Sequence, residues 1–251
     1  MEDSAKPPKP PRIKKLKLED LPEEPLNNAK PEREACQRCT LFKTCETPFM
    51  RPYIPKGWTR KVLLVGEAPG EDEDERSGRP FTGRAGVLLR RLYRQAGLND
   101  VDVAMVNGVR CRPGGNATPT MSQLRACRPF LLRTINTLAP EFVVGLGGSA
   151  RRALRNSGDS NVTRARGRAL LLPGLARCPE RDSQLGTQAD NGTDARLAVP
   201  RPMLPTVTCT YHPAAILHGN TALAERIVDD FRRLAEPMVG HPPDASVAPC
   251  R

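Results

Sequence analysis

Long apolar runs are missing from this 251-residue chain. Nothing in it approaches the ~18 consecutive apolar residues of a membrane-crossing helix, and the first residues lack the apolar core of a secretion signal. A membrane-crossing helix is thereby not expected, and a cytoplasmic location, in the cytosol or at the nucleoid, is. Histidine numbers only three, too few for a His-rich metal centre. Aromatic residues make up 4%, which argues against a base-stacking platform of the kind single-strand binders use. Negative charge is also short: 28 Asp and Glu face 39 Lys and Arg, a formal net charge of +11. A surface this basic favours a polyanionic partner, nucleic acid first, because neutralising phosphates releases counterions.

Cysteine, by contrast, is plentiful, with eight in the chain. Where thiols stay reduced, ligand-like spacing points to a metal or cluster rather than to disulfides. Cys36-Gln37-Arg38-Cys39 is a C-x2-C, with Cys45 close behind it. Cys111 sits in the loop Arg110-Cys111-Arg112-Pro113-Gly114-Gly115-Asn116, and Cys127 falls on the helix that follows. Two pairs distant in sequence make a four-thiolate site, for which spacing alone admits zinc and an iron–sulfur cluster equally. Cys178 has no evident partner.

The rest of the chain alternates between strands and helices. Val62-Leu63-Leu64-Val65 is a short buried strand that Gly66-Glu67-Ala68-Pro69-Gly70 ends abruptly. In open α/β sheets, ligands bind in the crevice outside such strand ends. An acidic run from Glu71 to Ser77 and the rigid turn Gly78-Arg79-Pro80-Phe81-Thr82-Gly83 come next. A helix then carries Ala85, Leu88, Leu89, Leu92 and Ala96 on one face, with Gly97 as its stop. Further strands are expected at Val101–Val106, Phe142–Leu146 and Leu204–Thr210, and Ala169–Leu172 reads as another apolar strand after the basic turn Arg164-Ala165-Arg166-Gly167-Arg168. Thr120 and Gln123 form a capping box for a helix whose inner face is Leu124, Cys127, Leu131, Leu132 and Ile135, with a kink or restart at Pro129. Ser149 is expected to cap a short helix through Leu154, and Leu223, Ile227, Phe231 and Leu234 to face inward from the last one. Four strands alternating with helices give a three-layer α/β/α sandwich with a central four-stranded parallel sheet. Residues 1–31 and 237–251 read as disordered tails, 32–236 as one domain, and 174–201 as a surface insertion.

Taken whole, Gly66 to Gly86 resembles the first motif of the iron–sulfur uracil-DNA glycosylases numbered family four. Their motif reads Gly-Glu-Ala-Pro-Gly, an acidic run, then Gly-x-Pro-Phe-x-Gly-x-Ala-Gly-x-Leu-Leu. The match falls on Gly66 to Gly70, Gly78, Pro80, Phe81, Gly83, Ala85, Gly86, Leu88 and Leu89. The resemblance extends over residues 35–236, through Asn107 before the cysteine loop and His212-Pro213-Ala214 at the last strand end. It implies a [4Fe-4S] cluster held by Cys36, Cys39, Cys111 and Cys127, structural in role, with Cys45 either replacing Cys39 or standing by.

The implied reaction is hydrolysis of the N-glycosidic bond of deoxyuridine in DNA, leaving an abasic site, by a monomer acting on a base swung out of the stack. Phe81 would stack on the uracil, Asn107 would read its edge, and the backbone of Glu67, Ala68 and Pro69 would donate to a carbonyl oxygen. His212 would stabilise the leaving anion through O2, and Glu67 and Glu73 are the candidates for positioning water. Read on their own, Asn107 also suits a turn, His212 a polar cap, and Arg164, Arg166 and Arg168 either surface charge or phosphate contact. Two rivals remain: the broader-range family five, whose Pro-Phe-Thr-Gly and Val-Arg-Cys occur here at Pro80–Gly83 and Val109–Cys111, and a non-catalytic DNA-binding cluster protein. Family five has no Glu after the first Gly of its motif, so Glu67 favours family four, and the joint presence of Phe81, Asn107 and His212 favours an enzyme.

Overall fold

The computed structural model describes residues 36–170, 172–173 and 204–235. The stretches expected as tails and as an insertion, with Cys178, lie outside the described residues. Four strands, β1 (Val62–Gly66), β2 (Val103–Asn107), β3 (Phe142–Leu146) and β4 (Thr206–Thr210), form one sheet in the order β2-β1-β3-β4. Every pairing is parallel, with Gly66 opposite Asn107 and Leu146 opposite Thr210. Alternate side chains leave opposite faces of a strand. Leu63, Val65, Ala104, Val106, Val143 and Val207 therefore pack under the helices α2 (Met121–Leu138) and α3 (Gly147–Arg155). Val62, Leu64, Val103, Met105, Phe142 and Val144 pack under α1 (Arg84–Gln95) and α6 (Leu223–Ala235) on the other face. The result is the expected three-layer α/β/α sandwich. Two short helices, α4 (Val162–Ala165) and α5 (Ala214–Leu217), flank β4.

Local chemistry accounts for most element ends. Thr120 Oγ1 accepts the Gln123 amide at 3.2 Å while Gln123 Oε1 accepts the Thr120 amide at 2.9 Å, a reciprocal cap that starts α2. β2 begins at Val103, two residues later than expected, because Asp100–Asp102 form a 3-10 turn capped by Asn99. α2 runs through Pro129 without a restart. Proline removes a single amide donor there, and the buried Phe130, Leu131 and Ile135 keep the later turns on the sheet. Ser149 lies inside α3, which begins at Gly147, and its hydroxyl accepts from Arg152 Nη2 at 2.9 Å instead of capping. Among the described residues Ala169–Leu172 is not a strand: after Gly167, at a φ of 69°, only Leu170 bonds to β4, its amide reaching the Val207 carbonyl at 2.7 Å. The exposed edge of β2 is covered by the segment after the first cysteines, where Tyr53 and Met105 exchange backbone bonds of 2.8 and 2.9 Å.

Candidate active site

Three strand ends meet at the carboxyl rim of the sheet. Gly66 closes β1, Asn107 closes β2, and His212 follows β4 by two residues. Gly66 is the pivot. A Cβ placed there would collide with both Asn107 Oδ1 and the edge of the Phe81 ring, so only glycine lets these two side chains close over the strand end. Phe81 is 5% exposed and its ring lies 6.5 Å from the His212 imidazole, centroid to centroid, with 30° between the planes. The ring, the amide and the imidazole that sequence reasoning singled out are therefore brought to one place.

Phe81 is held there by an unusual backbone. Its φ is 59°, the left-handed region that bulky residues avoid. Two neighbours make that conformation stable. Gly86 has no side chain where the Phe81 carbonyl lies, and a Cβ on it would overlap that carbonyl. Glu73, 9% exposed, turns its carboxylate onto the backbone amides of Gly70, Gly83, Phe81 and Thr82, with Gly70 N at 3.1 Å from Oε2. Burial raises the Glu73 pKa, and those amide hydrogen bonds oppose the rise. Glu67 is half-buried at the strand end, and its carbonyl accepts from Val109 N at 3.1 Å. Of the Glu67–Pro69 backbone only Glu67 and Ala68 carry an N–H, since Pro69 has none.

Asn107 is 3% exposed and its Nδ2 has no hydrogen-bond partner among the described residues. An orphaned buried donor costs about 1–3 kcal/mol. Such a cost is retained where a ligand completes the bond. His212 keeps part of its surface open, yet its surroundings desolvate it enough to lower its pKa to about 4. Its Nδ1 accepts the Ala214 amide at 3.2 Å, so the neutral ring carries its proton on Nε2. Behind it, Gly147 adopts a φ of 84° and approaches so closely that a Cβ would stand 3.0 Å from that of His212.

On the face covered by α2, cysteines gather. Cys111 Sγ accepts the Phe49 amide at 3.2 Å, and Cys127 Sγ accepts the Arg110 amide at 3.3 Å. Cys45, 1% exposed, shares a hydrogen bond with Cys111. That bond is the main reason the Cys111 thiol is raised, with burial next, whereas burial leads for Cys39 and for Cys127, which is pushed up to about 12. The charges of Cys36 and Cys39 add to the rise at Cys127. Among the described residues no group of three or more His, Cys, Asp or Glu side chains is arranged to hold a metal ion as it stands. The donor set nevertheless fits a thiolate-bound cluster in its chemistry. Buried, mutually repelling sulfurs with amides aimed at them ionise when a cation compensates.

The three arginines of the basic turn are not equivalent. Arg166 donates from Nε and Nη2 to the two carboxylate oxygens of the buried Asp230, at 2.7 and 2.9 Å, and its guanidinium stands 5.5 Å over the Tyr211 ring. It is engaged within the fold. Arg164 and Arg168 are exposed. Sequence reasoning missed two further ties to the site loop. Asp74, buried in a π-helical turn at Glu73–Ser77, accepts from Thr47 N at 2.8 Å and Glu46 N at 3.0 Å. Arg112, next to Cys111, reaches Glu75 at 2.7 Å and Glu71 at 3.3 Å. No local signal marks either tie, because the partners are 27 to 41 residues apart in sequence.

A parallel sheet with a ring, an amide and an imidazole at its carboxyl rim points to a class, and comparison with known proteins supplies it. The chain belongs to the uracil DNA glycosylase superfamily, whose family model matches residues 53–233. Within it, the chain is 31% identical over 215 residues to the type-4 uracil-DNA glycosylase of Sulfurisphaera tokodaii, a match covering 84% of each protein. Similarity to the type-4 uracil-DNA glycosylase of Thermotoga maritima is higher, 43% over 107 residues, but spans 43% of this chain and 55% of that protein. The type-5 uracil-DNA glycosylase of Mycobacterium tuberculosis is 33% identical over 214 residues, covering 78% of this chain and 70% of the other.

Proposed function

We propose that this chain is a DNA-repair glycosylase that releases uracil from DNA, working as a single chain in the cytoplasm. The observation that carries the reading is the buried, unpartnered amide of Asn107 beside the Phe81 ring and the neutral His212. Uracil presents alternating carbonyl and imide edges. A carboxamide, which both donates and accepts, matches that edge, and a site built to pair it rejects bases that leave its own groups unpaired. The base must first leave the stack, at a few kcal/mol that is smallest for a mispaired or unpaired base.

The C1′–N1 bond then breaks with its electron pair passing to the uracil ring, and positive charge gathers on the sugar. His212, with its proton on Nε2, donates to uracil O2, and the amides of Glu67 and Ala68 are donors to a carbonyl oxygen. Donors fixed before the charge develops lower the barrier without reorganising. Glu67, half-buried at the strand end, orients the water that adds to C1′, takes the proton that water loses and opposes the sugar's charge, while the departing uracil anion takes up a proton from solvent. Glu73 is better suited to positioning Phe81, since its carboxylate is taken up by four backbone amides. Products are free uracil and an abasic site.

Cys36, Cys39, Cys111 and Cys127 would hold a [4Fe-4S] cluster, which supplies no electron to hydrolysis and serves to tie the first cysteine segment to the loop at Cys111. Arg164 and Arg168 would contact DNA phosphates. Incubation with labelled oligonucleotides carrying uracil, hypoxanthine, xanthine or a thymine mismatch tests the substrate: uracil should be released, and release of none of the four would sink the reading. Anaerobic purification should give a brown protein with about four irons per chain. A colourless zinc protein would overturn the cluster assignment.

A further inference from the structure

The α1 helix has a second face that the pocket does not use. Arg84, Val87, Leu88 and Arg91 recur at spacings of three, four and seven, which sets them in one stripe along it. Together with Arg76 and Leu217 they line a cleft of about 630 Å³. Its lining combines basic and apolar side chains. Val87 is 58% exposed and Leu217 40%, two of the four large hydrophobic side chains exposed among the described residues. Arg76 pairs in the open with Asp72 at 3.1 Å, and Asp72 also lines the cleft. Arg84 and Arg91 are exposed and have no carboxylate partner among the described residues.

Both walls of this cleft descend from the candidate active site. α1 starts three residues after Phe81, and α5, which supplies Leu217, starts two residues after His212. A nucleotide whose base occupies the pocket stays bonded to its neighbours, so its strand must leave past those walls.

We propose that the cleft takes the DNA strand on one side of the swung-out deoxyuridine, with Arg84 and Arg91 on its phosphates and Val87, Leu88 and Leu217 against the adjacent unstacked base. This rests on the function proposed above. Seven helical residues separate the two arginines by about 10 Å along the axis, so they address different phosphates. Charge selects nucleic acid over a protein partner: three arginines and one aspartate line the cleft of a chain whose formal net charge is +11. The apolar side chains suit a base face, which is flat, desolvated at low cost and exposed once its neighbour has left the stack.

Binding separates this inference from the chemistry. An oligonucleotide with a stable abasic analogue is titrated from 50 to 200 mM salt with wild type, with the double variant Arg84→Gln/Arg91→Gln, and with Val87→Asp, each checked for folding by thermal melting. The double variant should bind roughly tenfold more weakly at the lower salt, and the slope of log K against log salt should become shallower by about 1.4–1.8, the loss of two phosphate contacts. Val87→Asp should also weaken binding. An unchanged affinity and slope in the double variant would assign the cleft to a protein partner or to none and overturn the inference. Failure of wild type to release uracil would instead count against the proposed function, with the cleft still judged on its own slope.

Discussion

At neutral pH the His212 imidazole carries no charge, and that decides what it can do. Desolvation lowers its pKa from 6.5 to about 4, and the Ala214 amide occupies Nδ1, leaving Nε2–H as a donor with no proton to gain or lose over the physiological range. Excision that relies on this donor should stay level from pH 7 to about pH 5 and fall only toward pH 4. A single-turnover pH profile checks this, and an acid limb centred near pH 6.5 that vanishes in His212→Gln would contradict it. Stability follows the same shift. The unfolded chain takes up a proton at about pH 6.5 and the folded one at about 4, so the neutral form's contribution is whole above pH 6.5 and is lost as pH falls between those values. Gly66 is the other decisive residue. Since a methyl group there would meet Asn107 and Phe81, Gly66→Ala should retain the sheet, measured by circular dichroism, and lose excision by about 10²-fold or more. Full activity in Gly66→Ala would show that the two side chains need not close over the strand.

The elements that hold the site are the acidic loop and the cysteine segment, joined side to side. Asp74 holds Glu46 and Thr47 to the loop, and Arg112 spans from the cysteine loop to Glu71 and Glu75. Asp74→Ala leaves two backbone amides without their charged acceptor and should cost about 2–4 kcal/mol, seen as a lower denaturant midpoint. If the proposed cluster is bound, the variant should also release its iron more readily to a chelator, because the segment that follows Cys45 loses its anchor. Unchanged stability and iron retention would make the clamp incidental. Much of this architecture was legible in the sequence: the glycine break after Val65, the Thr120 capping box, the inward stripe of the last helix and the four strands all follow from local chemistry. What was not legible depends on the distant chain. The resemblance singled out Glu73 for water, but the acidic run itself gave no reason to expect Asp74 to be buried with it rather than Glu71, Asp72 or Glu75, since only folding decides which carboxylate is buried. Arg166 reads as a surface charge beside Arg164 and Arg168 until Asp230, 64 residues on, is seen to face it. Among the described residues the expected strand at Ala169–Leu172 is not seen for a related reason. Apolar residues there cover the edge strand, with the Leu170 amide bonded to Val207, without joining the sheet.

At the scale of the whole molecule, the sheet separates two tasks. One face, under α2 and α3, gathers the thiols, and the carboxyl rim between the faces gathers the ring, the amide and the imidazole. The proposed cluster would meet the rim through the Arg112 and Asp74 ties, so its loss should affect the site by loosening Glu71–Ser77 rather than by altering the chemistry. The surplus of positive charge belongs to this scale as well, as it draws a polyanion to whichever surface carries the rim. The central claim is that one pocket built from three strand ends recognises uracil and stabilises its departure. Single-turnover release of uracil from a uracil-containing oligonucleotide, compared among wild type, Asn107→Ala and His212→Ala, tests it most directly. Each variant should slow release by about 10²- to 10³-fold while binding DNA with the wild-type salt dependence. Release at the wild-type rate by both variants would contradict the account.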